Sequence, residues 1–193
     1  MSNYYVFDNV NNPVSTKSIN TFNNPGVVSS PENSASKSGV FFFTTATNSQ
    51  SLGILGGSVI ITLQISNPSG SGKTLYVSSI SGGTGVSLSL LSSFTASMQL
   101  IQGGTLTSPT TLTPFNANLQ SSNTSVMTAR SSTSAVSGGT TFMNLPLQPG
   151  QFFIDYTGSI IVPPSKSISI TINASLSVAG VLSTNANISW WEY

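Results

Sequence analysis

Twelve residues, Ser167–Val178, alternate without a break: SISITINASLSV. Ile168, Ile170, Ile172, Ala174, Leu176 and Val178 fall on one side, and Ser, Thr and Asn on the other. Period two over that length predicts a β-strand, about 40 Å long at 3.3 Å per residue, with one face in a core and one in water. Its polar face carries no charge. Nowhere in the chain does an apolar 3.6-residue period hold for three turns, so no long amphipathic helix is available to cover the strand. It must find partners of its own kind.

The rest of the chain supplies them. Val40–Thr47, Ser58–Ser66, Lys73–Ile80, Val86–Leu91 and Thr95–Ile101 read as strands, as do Thr124–Ser131, Thr140–Leu145, Gln151–Tyr156, Ile160–Val162 and Val181–Tyr193. Gly, Pro and Asn separate them. Gly82, Gly83 and Gly85 are expected to break one strand from the next, and Gly103-Gly104 to make a hairpin-type turn. Thr105–Asn123 reads as a long polar connection. Such a series predicts an all-β fold, a jelly-roll-like antiparallel β-sandwich.

Residues 1–38 differ from the remainder. The stretch Ser29–Gly39, SSPENSASKSG, reads as a flexible linker. Ahead of it, Tyr4, Tyr5, Val6 and Phe7 form an apolar, β-prone cluster, followed by Val10 and Val14. The expected organisation is therefore a connector arm with its linker, 1–38, and a sandwich domain, 39–193. An exposed apolar arm is costly unless something buries it. Strand addition to the sheet edge of a neighbouring copy would do so. Docking on its own domain is the alternative.

Composition narrows the chemistry. The 193 residues hold no Cys and no His. Thiol catalysis, disulfides, zinc–thiolate sites and Ser-His-Asp triads are excluded for this chain alone. Charged residues make up 5%, against about 25% in ordinary soluble domains. Five basic residues are scattered singly, so no basic stripe for nucleic acid exists. No apolar run approaches the 18 or so residues of a membrane span. The opening MSNYYVFDNV has neither a basic nor an apolar signal region, so no secretory signal is expected. Surfaces near neutrality associate, which favours a subunit packed against copies of itself.

Four features invite chemistry. Asn67–Thr74, NPSGSGKT, ends like a phosphate-binding loop, but Asn67 stands where a Gly is needed and a strand follows, not a helix. A Gly/Ser hairpin turn is expected there. The carboxylates Asp8, Glu32, Asp155 and Glu192 are expected as lone solvated charges or as members of ion pairs. Three glycosylation-type triplets, at Asn123, Asn173 and Asn187, are what a chain rich in Asn and Ser supplies by chance. Trp190, Trp191 and Tyr193 form an aromatic terminus, and on a strand the two Trp residues point to opposite faces. One is expected in the core and the other exposed or in an interface. No catalytic residue, cofactor or metal is expected.

The phrase Gly103–Ser125 (GGTLTSPTTLTPFNANLQSSNTS), the Gly138-Gly139-Thr140 turn and the ending Ile188–Tyr193 (ISWWEY) resemble small β-rich structural proteins of tailed phages and spore-forming bacteria. The arm-plus-sandwich plan is similar to the endospore appendage subunits of bacilli. That resemblance implies a jelly roll that polymerises through an N-terminal connector. It also implies a place at a spore or cell surface without a classical signal peptide. Some appendage subunits cross-link through connector cysteines, which this chain lacks. The expected function is thus a non-enzymatic, homo-polymeric filament subunit joined head-to-tail through its arm. Two alternatives stay open. One is a virion or tail-fibre protein that forms a closed oligomer. The other is a carbohydrate-binding module using Trp190, Trp191, Tyr193 and the loop Thr105–Asn123.

Overall fold

The alternating segment becomes a central strand of a β-sandwich. A computed structural model describes residues 30–87 and 93–193. One helix, α1 (Pro31–Lys37), precedes the strands. These are β1 (Phe41–Leu52), β2 (Gly57–Ser66), β3 (Leu75–Ser87), β4 (Phe94–Gln102), β5 (Thr110–Leu112) and β6 (Phe115–Asn116). They continue as β7 (Thr128–Ser132), β8 (Thr140–Leu147), β9 (Gly150–Val162), β10 (Ser167–Leu176) and β11 (Gly180–Glu192). One sheet has the order β6-β1-β11-β3-β9 and the other β5-β7-β2-β10-β4-β8.

The pairing is nested. β1 pairs with β11, β2 with β10, β3 with β9 and β4 with β8, all antiparallel. Alternate residues of both sheets meet in a main core, beside a smaller cluster of Val59, Ala174, Leu176 and Leu182. Leu63, Ile65, Ile170 and Ile172 come from one sheet, and Ile80, Ile188 and Trp190 from the other. Each buried aliphatic side chain contributes about 1.5–3 kcal/mol.

Four expectations change in the folded chain. First, the stretch expected as a linker is helical from Pro31 to Lys37. The Ser30 hydroxyl accepts from Asn33 N, Pro31 opens the first turn and Glu32 sits in it, which is N-cap chemistry. Gly39, at φ 67°, closes the helix. Its N–H donates to Ser36 O, and Val40 N donates to Ala35 O, the Schellman pattern.

Second, Gly82, Gly83 and Gly85 do not break β3, which runs unbroken past them. They are there for close approach. A Cβ on Gly82 would lie 2.3 Å from Asn185 O and 2.9 Å from the Phe152 ring. Third, the polar face of β10 is not all in water. Ser169 and Thr171 are as buried as their apolar neighbours. Thr171 shares a hydrogen bond with Thr62, whose hydroxyl also reaches Ser134 O, and Gln64 donates to Ser169. Loops cover this face, and paired hydroxyls make the burial affordable in free energy. Fourth, NPSGSGKT is not a hairpin turn. It carries the chain from β2 in one sheet to β3 in the other. Buried Asn67 organises it, donating to Lys73 O (2.8 Å) and Val162 O (2.9 Å) and accepting from Ser71 Oγ. Of the expected strand Val86–Leu91, residues 88–91 lie outside the described residues.

Candidate functional site

The arm residues Tyr4, Tyr5, Val6, Phe7, Val10 and Val14 lie outside the described residues. The sheet edges, which such an arm would address, are described. β6 covers β1 only at Phe42 and Phe43, and the Asn48 amide beyond them donates to Ile60 O of β2. In the other sheet, short β5 flanks β7. β8 carries Pro146, which has no N–H to offer a partner. β9 is different. Among the described residues it ends its sheet, and from Gly150 to Asp155 it pairs regularly with β3 on its inner side alone.

The side of the sandwich between β8 and β9 is also incompletely closed. Phe152, Ile154, Tyr156 and Ile160 of β9 pack against the core yet remain only partly buried. So do Met143 and Leu145 of β8. Burial pushes the Tyr156 phenol above its ordinary pKa, and its Oη donates to Met143 Sδ at 3.2 Å. Past Asp155 the edge is interrupted. Ser79 pairs with Asp155 and Val77 with Ile160, so Tyr156–Ser159 loop out opposite Ser78. Such a bulge ends regular pairing along an edge. Glu32 of α1 accepts from the Ser78 hydroxyl, which brings the start of the described chain to the strand next to β9.

The aromatic terminus does not form one platform. Trp190 is fully buried, tilted against Phe42. Trp191 lies on the opposite face, half-buried. It stacks on Tyr76 with ring centroids 5.7 Å apart and planes 10° apart. Gly158 of the β9 bulge lies on the same indole, where a Cβ would come within 2.5 Å of the ring. Tyr193 is exposed beyond the strand, and its backbone pairs with Thr74.

Glu192 is not solvated, and among the described residues no base pairs with it. It is 3% exposed. Its carboxylate accepts from Trp190 Nε1 (2.9 Å), Ser125 Oγ and Val126 N (3.1 Å). The WWE ending is thus a latch on the loop that leads into β7. The Asn-rich part of that loop does similar work. Asn116 and Asn123 donate to Gly39 O, and Asn118 N donates to Asn116 Oδ1. The loop proposed above for sugar binding spends its amides on the junction between α1 and β1. The other described carboxylates also have neutral partners: Asp155 accepts from Thr157 N, and Glu32 from Ser78.

A surface the sequence did not announce lies on the outer face of the five-stranded sheet. Phe43, Phe115 and Phe153 stand there 45%, 69% and 68% exposed. Between them lies a floor that includes Ser79, Ser81, Asn187 and Ser189. These aromatics come from three strands far apart in sequence, so no local motif could have joined them.

Among the described residues no group of three or more His, Cys, Asp or Glu could hold a metal ion, and no helix is long and apolar enough to cross a membrane. The protein is of the all-β sandwich class, built of two antiparallel sheets. The chain matches no protein-family model, no curated protein and no solved structure.

Proposed function

We propose that the chain is a structural subunit that polymerises. The arm around Tyr4–Val10 of one copy adds as a strand to β9 of the next. The observation that carries this reading is the Gly150–Asp155 edge, which no other described strand covers on its outer side, beside partly buried Phe152, Ile154 and Tyr156. An added strand would satisfy that edge and seal the flank with alternate apolar side chains. The stretch Tyr4–Val10, apolar except at Asp8 and Asn9, is about as long as the stretch between Gly150 and the bulge. Nested pairing of first strand with last, in two sheets, supports reading the sandwich as a jelly roll. Sparse charge removes the repulsion that keeps ordinary domains apart. A head-to-tail joint of this kind gives an open fibre unless its rotation closes. A fibre at a spore or cell surface is the setting that the resemblance to appendage subunits implies.

Negative-stain microscopy tests the reading. The full chain is compared with one beginning at Ser30, which keeps α1 and its cap. Filaments from the first and monomers from the second are expected. Monomers from both, or filaments that persist without the arm, would refute it. Compact particles of fixed mass would favour a closed virion-type oligomer instead.

A further inference from the structure

We infer that the outer face of the five-stranded sheet carries a binding site for a neutral oligosaccharide, seated between Phe43 and Phe115 at one end and Phe153 at the other. The inference does not depend on polymerisation. Strand register sets the geometry. Phe115, Phe43, Ser189, Ser79 and Asp155 form one row across the sheet, and Thr45, Asn187, Ser81 and Phe153 form the next. Phe43 and Phe153 are three strands and one row apart, about 16 Å at standard sheet spacings, room for about three sugar rings.

An open depression of about 340 Å³ occupies this span, and a second, of about 400 Å³, adjoins it on the side of Asn185 and Gln151. Ser81, Asn187 and Phe153 line both, so they make one trough.

The lining decides the ligand class. Among the described residues no charged side chain lines either depression, and the nearby Asp155 carboxylate is held by Thr157 N. Phosphates, nucleotides and acidic glycans therefore have no counter-charge to meet. The floor is polar and pre-set. Ser79 and Ser189 share a hydrogen bond of 2.7 Å, and Asn187 Nδ2 donates to Ser81 Oγ at 3.3 Å. Asn185 and Gln151 add amides at the second depression. An apolar strand or the apolar face of another copy would cover these amides without pairing them, which costs free energy. A neutral polyhydroxyl chain pairs them and lays its C–H faces against the phenyl rings.

The test is titration calorimetry on the full chain with four neutral trisaccharides: maltotriose, cellotriose, mannotriose and the trimer of N-acetylglucosamine. At least one binds, with a dissociation constant of about 1 mM, as suits a shallow open site. Phe153→Ala and Phe115→Ala each weaken that binding about fivefold or more, and Asn187→Ala does likewise. Phe142→Ala, at an exposed Phe on β8 of the other sheet, leaves it unchanged. Both informative Phe residues are largely exposed, so the fold should tolerate their loss, and each variant is checked by circular dichroism. Should one fail to fold, the other still decides. Absence of binding by all four sugars at about 20 mM overturns the proposal. So does an equal loss from Phe142→Ala and from the trough variants, which would mark non-specific contact.

Discussion

Glu192→Ala removes a carboxylate that three donors address in the folded chain. The donors differ in what they can recover. Trp190 is 0% exposed, so its indole N–H would stay sealed and unpaired, at a cost of about 1–3 kcal/mol. Ser125 and Val126 are nearer solvent and would regain water, losing about 1 kcal/mol between them. The sum is about 3 kcal/mol. For a body of this size that lowers Tm by about 6–12 °C. Glu192→Gln keeps one carbonyl oxygen for the indole and the Ser125 hydroxyl, and turns an NH2 toward Val126 N. About half the loss is expected. Differential scanning calorimetry on residues 30–193 measures both, without interference from assembly. Hydrogen exchange should show the amides of Val126 and Met127 losing protection first. A loss below about 0.5 kcal/mol for the Ala variant, within the range of an ordinary surface change, would refute the latch.

Three further outcomes are expected. Asn67→Ala leaves the buried carbonyls of Lys73 and Val162 without their amide donor and should cost about 3 kcal/mol in urea unfolding; a neutral result would mean that the NPSGSGKT turn is held by something else. With no His in the chain, assembly should vary little between about pH 5 and 8, and filaments that melt on crossing pH 6 in a turbidity titration would count against the joint. At high pH the sign is set by Tyr156. Burial raises its folded pKa above 10.0, so the folded state holds that proton more tightly than the unfolded chain. Its contribution is intact below pH 10 and declines as pH rises from there toward the folded value. Tyr156→Phe should flatten part of that decline, and an unchanged alkaline limb would show that other groups control it.

Sheet content was legible because it is a local property. Ile168, Ile170 and Ile172 announce their strand by period alone, and the Trp190-Trp191 pair must split between two faces. The helix was present in the sequence but masked by composition. Ser30-Pro31-Glu32 is an N-cap followed by a favourable first turn, within a stretch that Ser and Pro made look like linker. What could not be read is whatever depends on register. Phe43 meets Phe115 through β6, and Asn187 lies between Thr45 and Ser81, only because distant strands align. Burial of Glu192 was equally hidden, since its partners arrive from a loop some 66 residues earlier.

The scarcity of charge takes on a local meaning in the folded chain. Small hydroxyls and amides satisfy one another across neighbouring strands, as Thr62 does with Thr171, Gln64 with Ser169, Ser79 with Ser189 and Thr95 with Ser175. Polar faces built this way need neither counter-ions nor bulk water for each group. They can therefore be covered, by a loop in the six-stranded sheet or by a partner molecule elsewhere. Charged side chains on an edge normally prevent such covering. Along Gly150–Asp155 the single charge is Asp155, already capping its own turn, and the guard against indefinite pairing is the bulge at Tyr156–Ser159. Open before the bulge and blocked after it, β9 is suited to a short strand and unsuited to an unlimited one. That asymmetry, more than overall composition, argues for a joint of defined length over indiscriminate aggregation.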